Sequence, residues 1–229
     1  MKILNDHGLK FAVLAGRVPP HSLTATFVVK AGFTLRPGGV AQLLPEGLQP
    51  EFSGDQFAAD DPAQGLRYPS DFAIYKPGAD LLLSGQCHAL AGQMLRQAEV
   101  VFAVGDVAKR LVVFGDRMWM PGSITASMSD PAPFQSMPLT WDRSFGGPGD
   151  QRNPTGRGLG ENRLADGTKA RLLPNIESRR SLVTSPHDRP APSGFGPISP
   201  ASPDRASRTG TYDDRWLEQH WPWLPDDFD

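Results

Sequence analysis

The chain has 229 residues, 39% of them apolar and 21% charged, with 24 glycines and 23 prolines, a charged share below the globular average and a proline and glycine content suited to a loop-rich fold. Its formal net charge of −2 divides into −2 over residues 1–142, +4 over 143–215 and −4 over 216–229, and so dilute a surplus excludes the clustered basic stripe of a nucleic-acid binder. A single cysteine, Cys87, excludes an intrachain disulfide, and the start carries no signal-peptide run and no stretch has the length of a membrane span, so the chain is expected to be cytoplasmic.

Leu9 to Gly16 reads as a first strand. From Thr24 to Arg36 the side chains alternate, with Ala25, Phe27, Val29, Ala31, Phe33 and Leu35 on one face, which predicts a strand half-buried in a sheet. Pro37-Gly38-Gly39 then lets the chain reverse, so that Val40 to Leu44 pairs back as a hairpin. Pro45 to Pro69 carries Pro, Gly and acidic residues without period and is expected to be a connecting loop. Next comes an expected antiparallel meander of Ala79 to Ala89, Met94 to Val104 and Lys109 to Trp119, with joints at Leu90-Ala-Gly92 and Gly105-Asp106. Ala98, Val100, Phe102 and Val104 share one face of its middle strand, and Leu111 and Val113 share one face of the next.

After Pro121 the composition shifts: 15 of the 23 prolines lie in the last 109 residues, which argues against long central strands there. Large aromatics nevertheless recur in aperiodic strings such as Pro138 to Gly147, Asn153 to Gly158, Ser193 to Pro197 and Gly210 to Phe228. Segments that bury nothing have no use for such residues, so these are expected to be ordered loops pinned on a β framework. One helix is expected near the end, capped by Thr211, with Asp213 and Asp214 in its first turn and Pro222 as its stop.

Catalytic chemistry finds little purchase. The histidines His7, His21, His88, His187 and His220 are scattered, and neighbours Cys87 and His88 point to opposite faces of a strand, so no metal site is expected. Ser144 lacks the preceding glycine of a nucleophile elbow. Gly156 to Gly160 lacks the Lys-Ser or Lys-Thr end of a phosphate loop and is expected to be a structural turn, with Asn153 accepting from nearby backbone and Pro154 fixing the bend. No spacing singles out two carboxylates for hydrolysis.

Asp and Arg recur beside aromatics in Tyr68 to Phe72, Lys76 to Asp80, Gly115-Asp-Arg117 and Trp141-Asp-Arg143. Charge-assisted pairs that tie loops to the sheet rim are the first expectation for them. The functional alternative is a recognition patch of Trp141, Arg143 and Phe145, because Trp and Arg dominate binding hot spots. Trp216, Trp221 and Trp223, among acids near the end, are candidate partner-binding or core-covering residues.

Ten strings carry a family resemblance when taken in order: Met1 to Asp6, Val28 to Gly39, Tyr68 to Phe72, Lys76 to Asp80, Phe114 to Arg117, Pro138 to Gly147, Asn153 to Gly156, Leu173 to Glu177, Gly194 to Pro197 and Tyr212 to Asp229. Together they resemble the bacterial domain-of-unknown-function family 2169 (DUF2169). The resemblance implies a type VI secretion adaptor or chaperone that loads an effector, often one with a PAAR-like tip domain, onto the spike. It implies no catalytic residues. It also implies a further stretch beyond the acidic-aromatic tail, and a chain shortened at Asp229 would leave Trp221, Trp223 and Phe228 exposed.

The expectation is therefore a single mostly β domain over 1–229, an antiparallel sandwich with its main strands in 1–120, a loop-rich covering segment in 121–229 and one short C-terminal helix. Its expected function is non-enzymatic binding of a secretion effector or PAAR-like spike protein, without cofactor or metal. A hydrolase working through loop carboxylates and a structural β subunit of a larger assembly are the alternatives.

Overall fold

The computed structural model describes residues 9–16, 24–48, 54–57, 60–61, 65–71, 79–121, 126–163, 169–198 and 202. The chain divides into two compact units, one formed by 1–56, 68–78 and 210–229 and the other by 57–67 and 79–209. The described residues are mostly strands in antiparallel pairs, with short 3-10 turns and no α-helix. The helix expected at Thr211 to Pro222 lies outside the described residues.

In the first unit, β1 (Lys10–Gly16) pairs antiparallel with β2 (Thr24–Lys30), Phe11 opposite Val29 and Val13 opposite Phe27. The strand expected to run on to Arg36 stops at Lys30 and resumes as β3 (Phe33–Thr34), because the Gly32 carbonyl accepts from Leu44 N–H at 2.9 Å and joins the next hairpin. That hairpin, β3 with β4 (Gln42–Leu43), reverses through Pro37-Gly38 as expected, closed by Gly39 N–H on the Arg36 carbonyl at 3.0 Å. The apolar face of β2 is the more exposed one, with Phe27 at 52% and Val29 at 65%. On the opposite face Lys30 Nζ donates to the Asp71 carboxylate at 2.7 Å. Within the expected connecting loop, β5 (Gln56–Phe57) and β6 (Leu66–Tyr68) pair with each other.

The second unit is built on β8 (Gln97–Val104) and β9 (Val107–Phe114), eight residues each, antiparallel through all eight pairs. They turn at Gly105-Asp106. Gly105 at φ +56° with Asp106 at negative φ is the type II′ arrangement whose twist suits a hairpin. Ala98, Val100 and Phe102 lie over Leu111 and Val113 as the period-two pattern predicts, and this face carries the main core cluster. Burying side chains such as Leu111 and Ile176 is worth about 1.5–3 kcal/mol each.

The expected meander is corrected at its first strand. β7 (Gln86–His88) pairs with β12 (Ser136–Pro138), not with β8, and the third strand beside β9 is β17 (Ile176–Ser178), giving the order β17-β9-β8. Period two fixes a strand's faces but says nothing about its neighbour. Cys87 and Met137 from the β7-β12 pair join the same core cluster, and Cys87 is buried while His88 is exposed, as alternation requires. The remaining strands, β10 (Trp119–Met120), β11 (Ser127–Met128), β13 (Phe145–Gly146), β14 (Arg157–Gly158), β15 (Asn162–Arg163) and β16 (Lys169–Ala170), have two residues each. This is the short-strand outcome that the prolines foretold.

Candidate functional site

On the core face of the β8-β9 hairpin, near its turn, alternation puts Phe102 and Val104 beside Lys109 and Val107. The segment 192–198 runs past them, tied at Leu83 N–H to the Phe195 carbonyl at 2.9 Å. The Phe195 ring is buried and meets Phe102 edge to face at 6.0 Å and 85°, the geometry that aromatic quadrupoles favour. Trp141 closes the wall: its Nε1–H donates to the Gly196 carbonyl at 2.9 Å, and its ring lies so close to Gly194 that a Cβ there would stand 3.0 Å from the indole. Lys109 Nζ donates to the Gly194 carbonyl at 2.5 Å. With Leu81, Leu82 and Asp80 these groups line a cleft of about 370 Å³. It is an apolar, aromatic-walled cleft carrying one ammonium and one carboxylate.

Behind Trp141, polar side chains hold the backbone where sheet ladders are too short to do so. Asn153 is fully buried and its Nδ2 donates to the carbonyls of Trp141 at 2.7 Å and Phe145 at 3.0 Å. The expectation that Asn153 accepts from backbone is thereby corrected: its amide donates, and among the described residues its Oδ1 accepts from Thr155 Oγ1 at 3.3 Å and from no backbone N–H. The Ser144 hydroxyl is buried and accepts from Ser193 N–H at 2.8 Å, so it anchors the 192–198 segment.

The Asp-Arg strings do tie loops to the rim. Asp116 accepts from Arg143 at 3.5 Å, Arg157 at 3.2 Å and Asn175 Nδ2 at 3.0 Å, and Asn175 also reaches the Phe114 carbonyl at 3.2 Å. Burial, with Arg143 close by, pulls the Arg157 guanidinium below its usual pKa. Arg117 stacks 3.8 Å over the Phe114 ring, donates to the Pro174 carbonyl at 2.8 Å and forms a buried ion pair with Glu177. Glu177 also accepts from Val183 N–H at 2.6 Å, yet burial raises its pKa above the ordinary value.

The three residues of the expected patch are separated by this arrangement. Trp141 walls the cleft and Arg143 turns to Asp116 and Asn175. Phe145, 3% exposed, lies in a second core cluster with Leu173 and Val183, so it presents no ring at the surface. The 3-10 turn Trp141–Arg143, followed by extended Ser144, sends the three side chains different ways. Trp216, Trp221 and Trp223 lie outside the described residues. Sequence reasoning missed Phe102, Lys109 and Leu81 as cleft residues and Glu177 as the partner of Arg117. The signal for Phe195 was present in the string Ser193 to Pro197. Among the described residues no three His, Cys, Asp or Glu side chains converge as metal ligands, and no helix is long and apolar enough to cross a membrane.

A family model described as "Uncharacterized protein conserved in bacteria (DUF2169)" matches residues 21–229. No curated protein and no solved structure matches the chain.

Proposed function

The chain belongs to the DUF2169 family, and we propose from that premise that it is a non-enzymatic adaptor or chaperone. In this reading it binds a type VI secretion effector or PAAR-like spike-tip protein in the bacterial cytoplasm and helps to load it. The observation that carries the binding role is the cleft walled by Trp141, Phe102 and Phe195. Large rigid aromatics in a concave apolar site make contact at low entropic cost and are what hot spots are built from. Among the described residues the lining holds a single carboxylate, Asp80, where a hydrolytic pair would need two. The same reading takes the β17-β9-β8 sheet and the β7-β12 pair as layers of a sandwich around the shared core.

A pull-down from native cytoplasm with the full chain as bait tests the role. Recovery of a PAAR-like or spike-fused effector in near-stoichiometric amount is the expected result. A folded bait that retains nothing above background overturns it. Trp141→Ala, which empties one cleft wall, is expected to weaken that capture on the order of tenfold or more, as hot-spot tryptophans do.

A further inference from the structure

The turn at Gly105-Asp106 sets which way each backbone group of β8 points. A two-residue loop makes Val104 and Val107 a hydrogen-bonded pair, and such pairs then recur at every second residue, so Ala98, Val100, Phe102 and Val104 direct their N–H and C=O groups to β9. The far side of β9 agrees with this phase, since Phe114 N–H donates away from β8 to the Asn175 carbonyl at 2.7 Å. Gln97, Glu99, Val101 and Ala103 therefore turn theirs outward. Among the described residues no hydrogen bond is made to these outward groups, and all four side chains are exposed.

Such an edge is usually guarded by a proline, a lysine, a bulge or shortness. The sequence of β8, Gln-Ala-Glu-Val-Val-Phe-Ala-Val, has no proline or lysine and is eight residues long, whereas the opposite edge strand β17 has three. Its one charge, Glu99, is occupied by Arg110 at 3.0 Å and Arg179 at 2.6 Å, which leaves the outer face of the edge with a surplus positive charge on two well-exposed guanidiniums. On the other face, the edge runs directly into the aromatic cleft through Phe102 and Val104.

We infer that β8 is a docking edge for an extended strand of a partner protein, one that alternates apolar residues with acidic ones. The partner's backbone pairs with Gln97, Glu99, Val101 and Ala103, its apolar side chains enter the cleft beside Phe102 and Val104, and its acids face Arg110 and Arg179. Main-chain bonds supply affinity and alternate side chains supply selectivity, as in other cases of strand addition. The inference deepens the binding role proposed above and rests on it.

The test uses the full chain and a capped synthetic peptide in which valine and phenylalanine alternate with glutamate, with a scrambled peptide of the same composition as control. The expected result is saturable slowing of amide exchange at Gln97, Glu99, Val101 and Ala103 by the alternating peptide, at least about tenfold weaker with the scrambled one. Val101→Pro removes an N–H that the β8-β9 ladder does not use and is tolerated on an edge. It is expected to weaken peptide binding on the order of tenfold, the value of one lost hydrogen bond of about 1.4 kcal/mol. Ala103→Pro, which also removes an outward N–H, serves the same purpose should the Val101 variant unfold. Unchanged exchange at the four amides, or equal binding by a folded edge variant, overturns the inference. Slowed exchange that needs no peptide and grows with protein concentration assigns the edge to a second copy and also overturns it. An effector captured in the pull-down while the peptide fails leaves the adaptor role standing on another surface.

Discussion

The β8-β9 hairpin and the stretch from Ser144 to Glu177 belong to the same unit and are held by different means. The hairpin spreads its stability over eight backbone pairs and one short turn. The stretch has strands of only two or three residues, so buried side chains supplement its few ladder bonds, Asn153 donating to the Phe145 carbonyl and Arg117 to the Pro174 carbonyl. A chain rich in proline cannot extend its ladders, and every buried carbonyl must still find a donor. Stability in the second region is consequently concentrated in single residues. Glu99 and Glu177 repeat the contrast. Hydrogen bonds from Arg179 and Arg110 lower the pKa of the exposed Glu99, while desolvation outweighs Arg117 and raises that of Glu177.

The strongest way to break the second region is Gly146→Ala. Gly146 sits at φ +151° and a Cβ there would stand 2.2 Å from the Asn153 carbonyl oxygen, so a loss of about 4 kcal/mol or more is expected in urea unfolding. Glu177→Gln comes next: its amide turns an NH2 donor toward either Arg117 or the Val183 N–H, both of which donate to the carboxylate, at a cost of about 3 kcal/mol by the same measurement. Asn153→Ala deprives two carbonyls of their donor and should cost about 3 kcal/mol. Gly105→Ala probes the hairpin instead. Nothing lies within 4 Å of the added Cβ, so only the positive φ is penalised and about 1 kcal/mol is expected. Equal losses at Gly105 and Asn153 would refute the contrast.

The smallest effects are those of pH. The depressed folded pKa of Glu99 means its contribution is present above the ordinary Glu value and lost as pH falls through the folded one. For Glu177 the folded state binds the proton more readily than the unfolded chain. Its contribution therefore declines as pH rises from the ordinary Glu value through the raised folded one. Side-chain carbon shifts followed by NMR titration are expected to place the two midpoints on opposite sides of about 4.3. Midpoints on the same side would mean that Glu177 is solvated.

What was legible in the sequence was local. Alternation from Ala98 to Val104, the Gly105-Asp106 turn, the Pro37-Gly38 reversal and the short strands after Pro121 follow from backbone geometry within a few residues, and the loop anchoring by Asp116 was readable from charge beside aromatics. The same period also put Cys87 and His88 on opposite faces. Of the cleft, Trp141 was visible as a large residue in an ordered string. Its company was not, because Phe102, Leu81 and Phe195 meet only when segments far apart in sequence come together. Tertiary structure alone decided that β17 rather than β7 lies beside β9, that the Phe27 and Val29 face of β2 is the exposed one, and that Phe145 is core while Trp141, four residues earlier, walls a cleft. A side-chain period fixes which residues share a face, and only long-range contacts, competing for the same buried space, fix what covers that face.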